Sequence, residues 1–288
     1  MGAALLILAA AAGACREDEP VARLEVAPTA LRLPYGGFGR LQLRWEVLSP
    51  LEGASGRPLV FLHLLDRPGS VVRTFDHPLP SGWREGESVE YEVLLAQSML
   101  APPLPPGSYL LTAGLYDGAG RRWPLETGGK EVDDGEYQVG EVEMPAADGE
   151  EPMFTFSPSW QSTEPVADRQ VLARRWLAGE GTIGIEGLSG PSTLLLTLRM
   201  AEPDERQERR VPEGGASSVR VASPCAAMEV SVSGPGVHEV LLPLRPPAGE
   251  GCEIALRPSF VLEARDGSTR RSVALETLAV RPEGAEAR

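Results

Sequence analysis

Histidine and cysteine are scarce in this chain, three of each among 288 residues. That leaves little for a zinc site, which draws its ligands from closely spaced Cys and His pairs, and little for a His-based nucleophile constellation. Gly-x-Ser-x-Gly, His-Glu-x-x-His and a phosphate-cradling glycine loop are all missing. Asp133-Asp134 lacks the alternating carboxylates of a calcium loop and reads as a solvated turn. Basic residues are outnumbered, 27 Lys and Arg against 41 Asp and Glu, for a formal net charge of −14. That balance opposes contact with nucleic acid and electrostatic docking on anionic lipid headgroups. No metal, cofactor or enzymatic activity is expected. Long amphipathic helices and an internal repeat between the halves are also absent.

What is present is punctuation. Gly 32 and Pro 27 recur between short apolar stretches, which suits many short strands joined by turns. Hydrophobic residues make up 42%, enough for real cores, and the length allows two domains. Leu41, Leu43, Trp45 and Val47 alternate with Gln42, Arg44 and Glu46, the pattern of a half-buried strand. The stretches 58–65 and 109–116 are apolar on both faces and read as central strands. About seven strands over the first part predict an immunoglobulin-like β-sandwich at 22–145. An acidic, proline-bounded linker follows at 146–152. Strands within 182–280 predict a second, jelly-roll-like sandwich at 153–282, with a tail at 283–288. The charged, glycine-containing segment Glu202 to Ala216 reads as an exposed loop. The expected fold class is therefore all-β, two sandwiches in series.

Met1 to Ala14 is an apolar run ending in small residues, and Cys15 follows it. Ala12-Gly13-Ala14-Cys15 resembles the lipobox of a bacterial lipoprotein signal, although the run carries no Lys or Arg and position −3 is Ala. The run is too short to span a bilayer. The resemblance implies a leader at 1–14, a lipidated Cys15, a tether at 15–21, and a membrane-anchored protein in the cell envelope. The alternative is an ordinary secretory peptide with Cys15 a bystander. With Cys15 removed, Cys225 and Cys252 form an even pair in an exported context, and a disulfide worth about 3 kcal/mol is expected.

The first sandwich offers one reactive-looking group, His63, Asp66, Asp76 and His77. A tight turn at Pro68-Gly69 pairs residue 63 with 74 and sets Asp76 diagonal to His63 on one face. A structural hydrogen bond between the two is expected, because one His and one Asp are too few for a metal. His63→Ala should then lower stability without touching ligand binding. Trp83, Trp123 and Trp160 sit beside Pro, Gly or Ser in predicted turns, where indoles could stack on sugar rings. Trp45 and Trp176 lie in predicted strands and are assigned to the core. Tyr109 is expected to bond a nearby carbonyl at the sandwich corner.

Three stretches carry a resemblance: 61–66 with His63; 75–93 with Asp76, Pro78, Trp83 and Gly86; and 104–125 with Pro106-Gly107 and Tyr109. They resemble the extracytoplasmic β-sandwich attached to many bacterial membrane glycosyltransferases of the mannosyltransferase-like, polyprenol-dependent class. The second half is more faintly similar to jelly-roll modules found beside that sandwich, through Ser157 to Trp160, Arg175-Trp176 and Pro258-Ser259-Phe260. The multi-span catalytic domain of such enzymes has no counterpart in this sequence, so their transferase activity is not carried over. The resemblance implies a non-enzymatic protein that binds glycan or a partner in surface-polysaccharide assembly. The rival expectation is a structural or protein-interaction lipoprotein of a membrane complex.

Overall fold

The strand expected from the Leu41–Val47 alternation is Phe38–Val47, in which Leu41, Leu43, Trp45 and Val47 are buried and Gln42, Arg44 and Glu46 face solvent. It belongs to a computed structural model that describes residues 19–147, 149, 151–168, 170–203, 208–212, 216–247 and 250–284. Cys15 and its leader lie outside the described residues. The described part is all-β.

Phe38–Val47 sits in a four-stranded sheet ordered Leu125–Thr127, Ala22–Ala27, Phe38–Val47, Ser88–Ala96. The facing sheet runs Glu131–Asp133, Glu136–Met144, Gly107–Tyr116, Leu59–Leu65, Val71–Thr74. The first strand divides between the two: Ala22–Ala27 pairs antiparallel with Phe38–Val47, while Ala30–Arg32 pairs parallel with Glu136–Met144. This is an immunoglobulin-like sandwich, closed by a core that includes Trp45, Leu62, Leu64 and Leu111. The Tyr109 hydroxyl donates to the Pro105 carbonyl at 2.7 Å, pinning the entry to Gly107–Tyr116 in the manner of a tyrosine corner.

The second half forms two five-stranded sheets. One is ordered Glu164–Pro165, Ala173–Leu177, Val273–Pro282, Ser192–Met200, Val237–Leu244, the other Met153–Phe156, Gly181–Glu186, Cys252–Pro258, Ser218–Ala222, Val230–Ser233. The chain passes between sheets at most connections, the arrangement of a jelly roll. Its core is separate from the first and includes Ile183, Leu196, Leu256 and Leu275. Cys225 and Cys252 are joined as a disulfide, with Cα atoms 5.9 Å apart. The segment read as an exposed loop is not wholly one. Glu208–Val211 is a strand that pairs with Val261–Ala264, which in turn pairs with Arg270–Arg271. Cross-strand charge pairs, Arg209 with Glu263 at 3.0 Å and Arg271 with Glu208 at 2.8 Å, let so charged a stretch join a sheet.

One strand is shared in effect by both sandwiches. Val273–Pro282 pairs along its whole length with Ser192–Met200, but Ala173–Leu177 covers its other edge only from Val273 to Leu275. Beyond Leu275 the first sandwich satisfies the exposed backbone. Met99 N donates to Leu278 O at 2.9 Å and Val280 N to Gly36 O at 2.7 Å, while Leu278 N donates to Ser98 Oγ at 3.2 Å. Side chains seal the seam, with Phe38, Leu195 and Ala279 buried against Leu94, Ala96 and Leu241. Gln97 is buried and holds the connecting segment in place: its N donates to Gly37 O at 2.9 Å, and Nε2 to Leu33 O at 2.7 Å.

Gly36 has φ +70°, and a Cβ on it would overlap Met99 Sδ. Gly36→Ala is therefore expected to destabilise the chain by about 1–2 kcal/mol through left-handed strain alone, with displacement of Met99 adding to it. Chemical denaturation of wild type and variant checks this; identical curves would show that the seam does not need a glycine there.

Candidate functional site

The His63 hairpin places its residues where local register dictates. His63 lies opposite Thr74 and Val60 opposite His77, so Asp76 comes to the side of His63 despite a bulge between Leu64 and Leu65. His63 Nε2 stands 3.4 Å from Asp76 Oδ1. A second carboxylate, which sequence reasoning missed, closes the other side: Nδ1 is 3.4 Å from Glu136 Oε1. These are ion-pair distances without hydrogen-bond alignment, and Nδ1 and Asp76 Oδ1 are buried with no hydrogen-bond partner. The ring also stacks on Phe61 at 4.7 Å, and the Arg122 guanidinium lies over the far partner of that stack at 5.1 Å. Glu136 is fixed further by the Thr112 hydroxyl at 2.5 Å, and Asp76 by the Tyr116 hydroxyl at 3.1 Å.

Burial alone would lower the His63 pKa, but Asp76 and Glu136 outweigh it and raise the value to about 9. The imidazole is thus a cation at neutral pH, not a general base. Burial would raise the Glu136 pKa, yet His63, Thr112 and Arg122 together hold it below the ordinary glutamate range. His77 turns away, with Nε2 2.8 Å from the Tyr91 hydroxyl and Nδ1 3.0 Å from Phe75 O. Asp66 caps its own turn by accepting from Ser70 N at 2.7 Å. The four residues singled out in the sequence do not converge on one centre. Only His63 and Asp76 meet, and their third partner is Glu136.

Two of the three tryptophans named for sugar stacking, Trp123 and Trp160, need correction. Trp123 is 2% exposed and lies in the strand Arg122–Trp123, while Trp160 is 5% exposed, its Nε1 bonded to Thr182 O at 3.1 Å. Neither ring offers a face to a ligand, because in both places the turn folds the indole inward over the sandwich end. Trp83 is half-buried, edge-on to Trp45 at 5.7 Å, with Nε1 donating to Ser49 O at 3.3 Å. Trp176, assigned to the core, is half-buried between the Arg174 and Arg271 guanidiniums at 5.9 and 5.0 Å. Among the described residues no group of three or more His, Cys, Asp or Glu is arranged to hold a metal ion.

Open space lies instead on either side of the seam. A cleft of about 280 Å³ carries carboxylates from both sandwiches, among them Asp76, Asp168 and Glu276. The Glu276 side chain is 1% exposed; its Oε1 takes Arg199 Nε at 2.5 Å and Arg174 Nη2 at 3.2 Å. Gln170 of the second sandwich donates to Asp76 O at 3.0 Å across this cleft. The other cleft is larger, about 690 Å³, and runs between the Pro34–Arg40 segment and the end of Val273–Pro282. Its walls are largely apolar, with Tyr35, Phe38 and Leu188, and with guanidiniums at Arg32, Arg40 and Arg281. Size, apolar lining and position between domains are those of a ligand-binding site.

Because the folded His63 pKa lies above its unfolded value of roughly 6.5, the stabilisation from its charge is complete below that value. It is lost as pH rises through about 9. His63→Ala is expected to cost about 1–3 kcal/mol at pH 6 by leaving Asp76 without its cation and Glu136 with Arg122 alone. The gap from wild type should narrow toward pH 10. Denaturation curves at the two pH values check this; an equal gap at both would mean that His63 is neutral in the fold.

No family model matches the chain, and no curated protein matches it. Among solved structures, it is similar over 47% of its length to an arabinose-bound α-L-arabinofuranosidase, at 10% identity and a TM-score of 0.30. Over 91% of its length it is similar to a variant of Salmonella alpha-2-macroglobulin, at 12% identity and a TM-score of 0.24. It spans 24% and 15% of those two chains.

Proposed function

We propose that the protein is a lipid-anchored, non-enzymatic component of the cell envelope that binds glycan between its two sandwiches. The observation that carries this reading is the 690 Å³ cleft beside the seam, formed jointly by both domains. The seam supports it, since the Ser98 hydroxyl and the Met99 and Gly36 backbones bond to Val273–Pro282 and hold the walls in register before any ligand arrives. The Cys225–Cys252 disulfide accords with an extracytoplasmic setting, and Cys15 with attachment through lipid, on the membrane face of the periplasm or exterior. A non-catalytic role accords with His63, which is held as a cation by two carboxylates. The cleft moves the proposed contact away from Trp123 and Trp160 and onto the half-buried Tyr35 and Leu188.

A glycan array probed with the full chain tests the reading, alongside Ser189→Trp, which puts an indole into the cleft from an exposed position on its wall. Wild type is expected to bind and the variant to lose binding with its melting unchanged. In cells, Cys15→Ala is expected to abolish fatty-acid labelling and release the protein from membranes. An array with no bound glycan, or binding indifferent to Ser189→Trp, would contradict the reading and favour a protein-interaction role.

A further inference from the structure

The charge of the large cleft runs against the charge of the chain. In a protein of net charge −14, three arginines line it, Arg32 and Arg40 from the first sandwich and Arg281 from the second, against a single carboxylate at Glu151. Arg40 is paired, its Nη1 2.7 Å from Glu92 Oε1, but its Nε is buried and has no partner. Arg32 and Arg281 make no ion pair and no side-chain hydrogen bond among the described residues. Arg281 lies over the Phe38 ring at 5.3 Å, which orients the guanidinium and leaves its N–H fork for another acceptor. Burial and then the neighbouring Arg40 depress the Arg281 pKa, and Glu92 offsets them only in part. Glu92 answers the charge of Arg40, and the remaining guanidinium charge at the edge of the cleft favours a bound anion.

We propose that this cleft is a site for an acidic oligosaccharide, whose carboxylates are taken by Arg32 and Arg281, beside the paired Arg40, and whose ring faces pack on Tyr35. The proposal rests on the glycan reading above and adds the charge of the ligand to it. A planar guanidinium matches a carboxylate bidentately, so separate arginines on two walls suit a chain that repeats its acid groups. The site exists only while the domains are docked, because Arg281 is two residues beyond Ala279, which the seam buries.

Titration calorimetry on the full chain in detergent tests it with three probes: trigalacturonate, neutral maltotriose and hexaglutamate. Trigalacturonate is expected to bind, with maltotriose at least about tenfold weaker and hexaglutamate silent. Its affinity should fall as salt rises from about 0.05 to about 0.5 M. Arg32→Gln and Arg281→Gln are each expected to weaken binding about tenfold. Arg32 is exposed, so its variant guards against a folding artefact at Arg281. Arg44→Gln, whose native side chain faces Glu25 at 3.7 Å, should bind as wild type. Equal binding of maltotriose would overturn the acidic ligand while leaving the glycan reading intact. Binding of hexaglutamate alone, or of no probe, would overturn both. Trigalacturonate binding that survives Arg32→Gln and Arg281→Gln would overturn the site.

Discussion

If the second sandwich stood alone, the backbone groups of Leu278 and Val280 would form an open edge, because Ala173–Leu177 stops pairing at Leu275. Unpaired strand edges invite non-specific pairing, and buried ones cost the desolvation of each group. Ser98, Met99 and Gly36 of the first sandwich meet this need. Phe38, Leu195 and Ala279 then exclude water from the contact. The requirement runs both ways, since Met99 and Leu100, displaced from the first sandwich by their own connection, pack on the core of the second. Two domains that would otherwise be linked by a short proline-bounded segment are thereby held at one orientation.

The open spaces follow from that orientation. Two curved sandwiches touching along one strip leave a cleft on each side, and the residues lining each are drawn from both domains. Their chemistry differs. The smaller cleft carries Glu276, to which Arg174 and Arg199 of the same sheet are already bound. The larger one carries apolar faces and, at Arg32 and Arg281, guanidiniums without such partners, Arg40 being paired with Glu92. His63 belongs with the first kind: its charge is consumed by Asp76 and Glu136 inside one sandwich, where it ties together two strands of a single sheet and the connection holding Asp76.

The parts of this structure legible in the sequence are those governed by local rules. Alternation from Leu41 to Val47 reports one buried face, and a tight turn near Gly69 sets His63 opposite Thr74, bringing Asp76 close. Glu136 was not legible, because its approach depends on the register of Glu136–Met144 against Gly107–Tyr116, which no short-range signal fixes. Trp123 and Trp160 show the limit of flanking residues: Pro and Ser announce a turn but not whether the indole folds inward. Glu208–Val211 read as loop because its charges masked a strand whose partners, Val261–Ala264, lie some fifty residues on. The seam was the least legible element of all, since it depends on where Ala173–Leu177 ends, and the arginines it gathers, Arg32 and Arg281, are far apart in the chain.

Amide hydrogen exchange read at Met99, Leu278 and Val280 tests the docking of the sandwiches most directly. If their bonds across the seam hold the domains as one body, these three amides exchange slowly, on the timescale of the strands Phe38–Val47 and Ser192–Met200. If they exchange at the rate of exposed loop amides while those strands stay protected, the domains separate freely and the cleft between them is not a standing site.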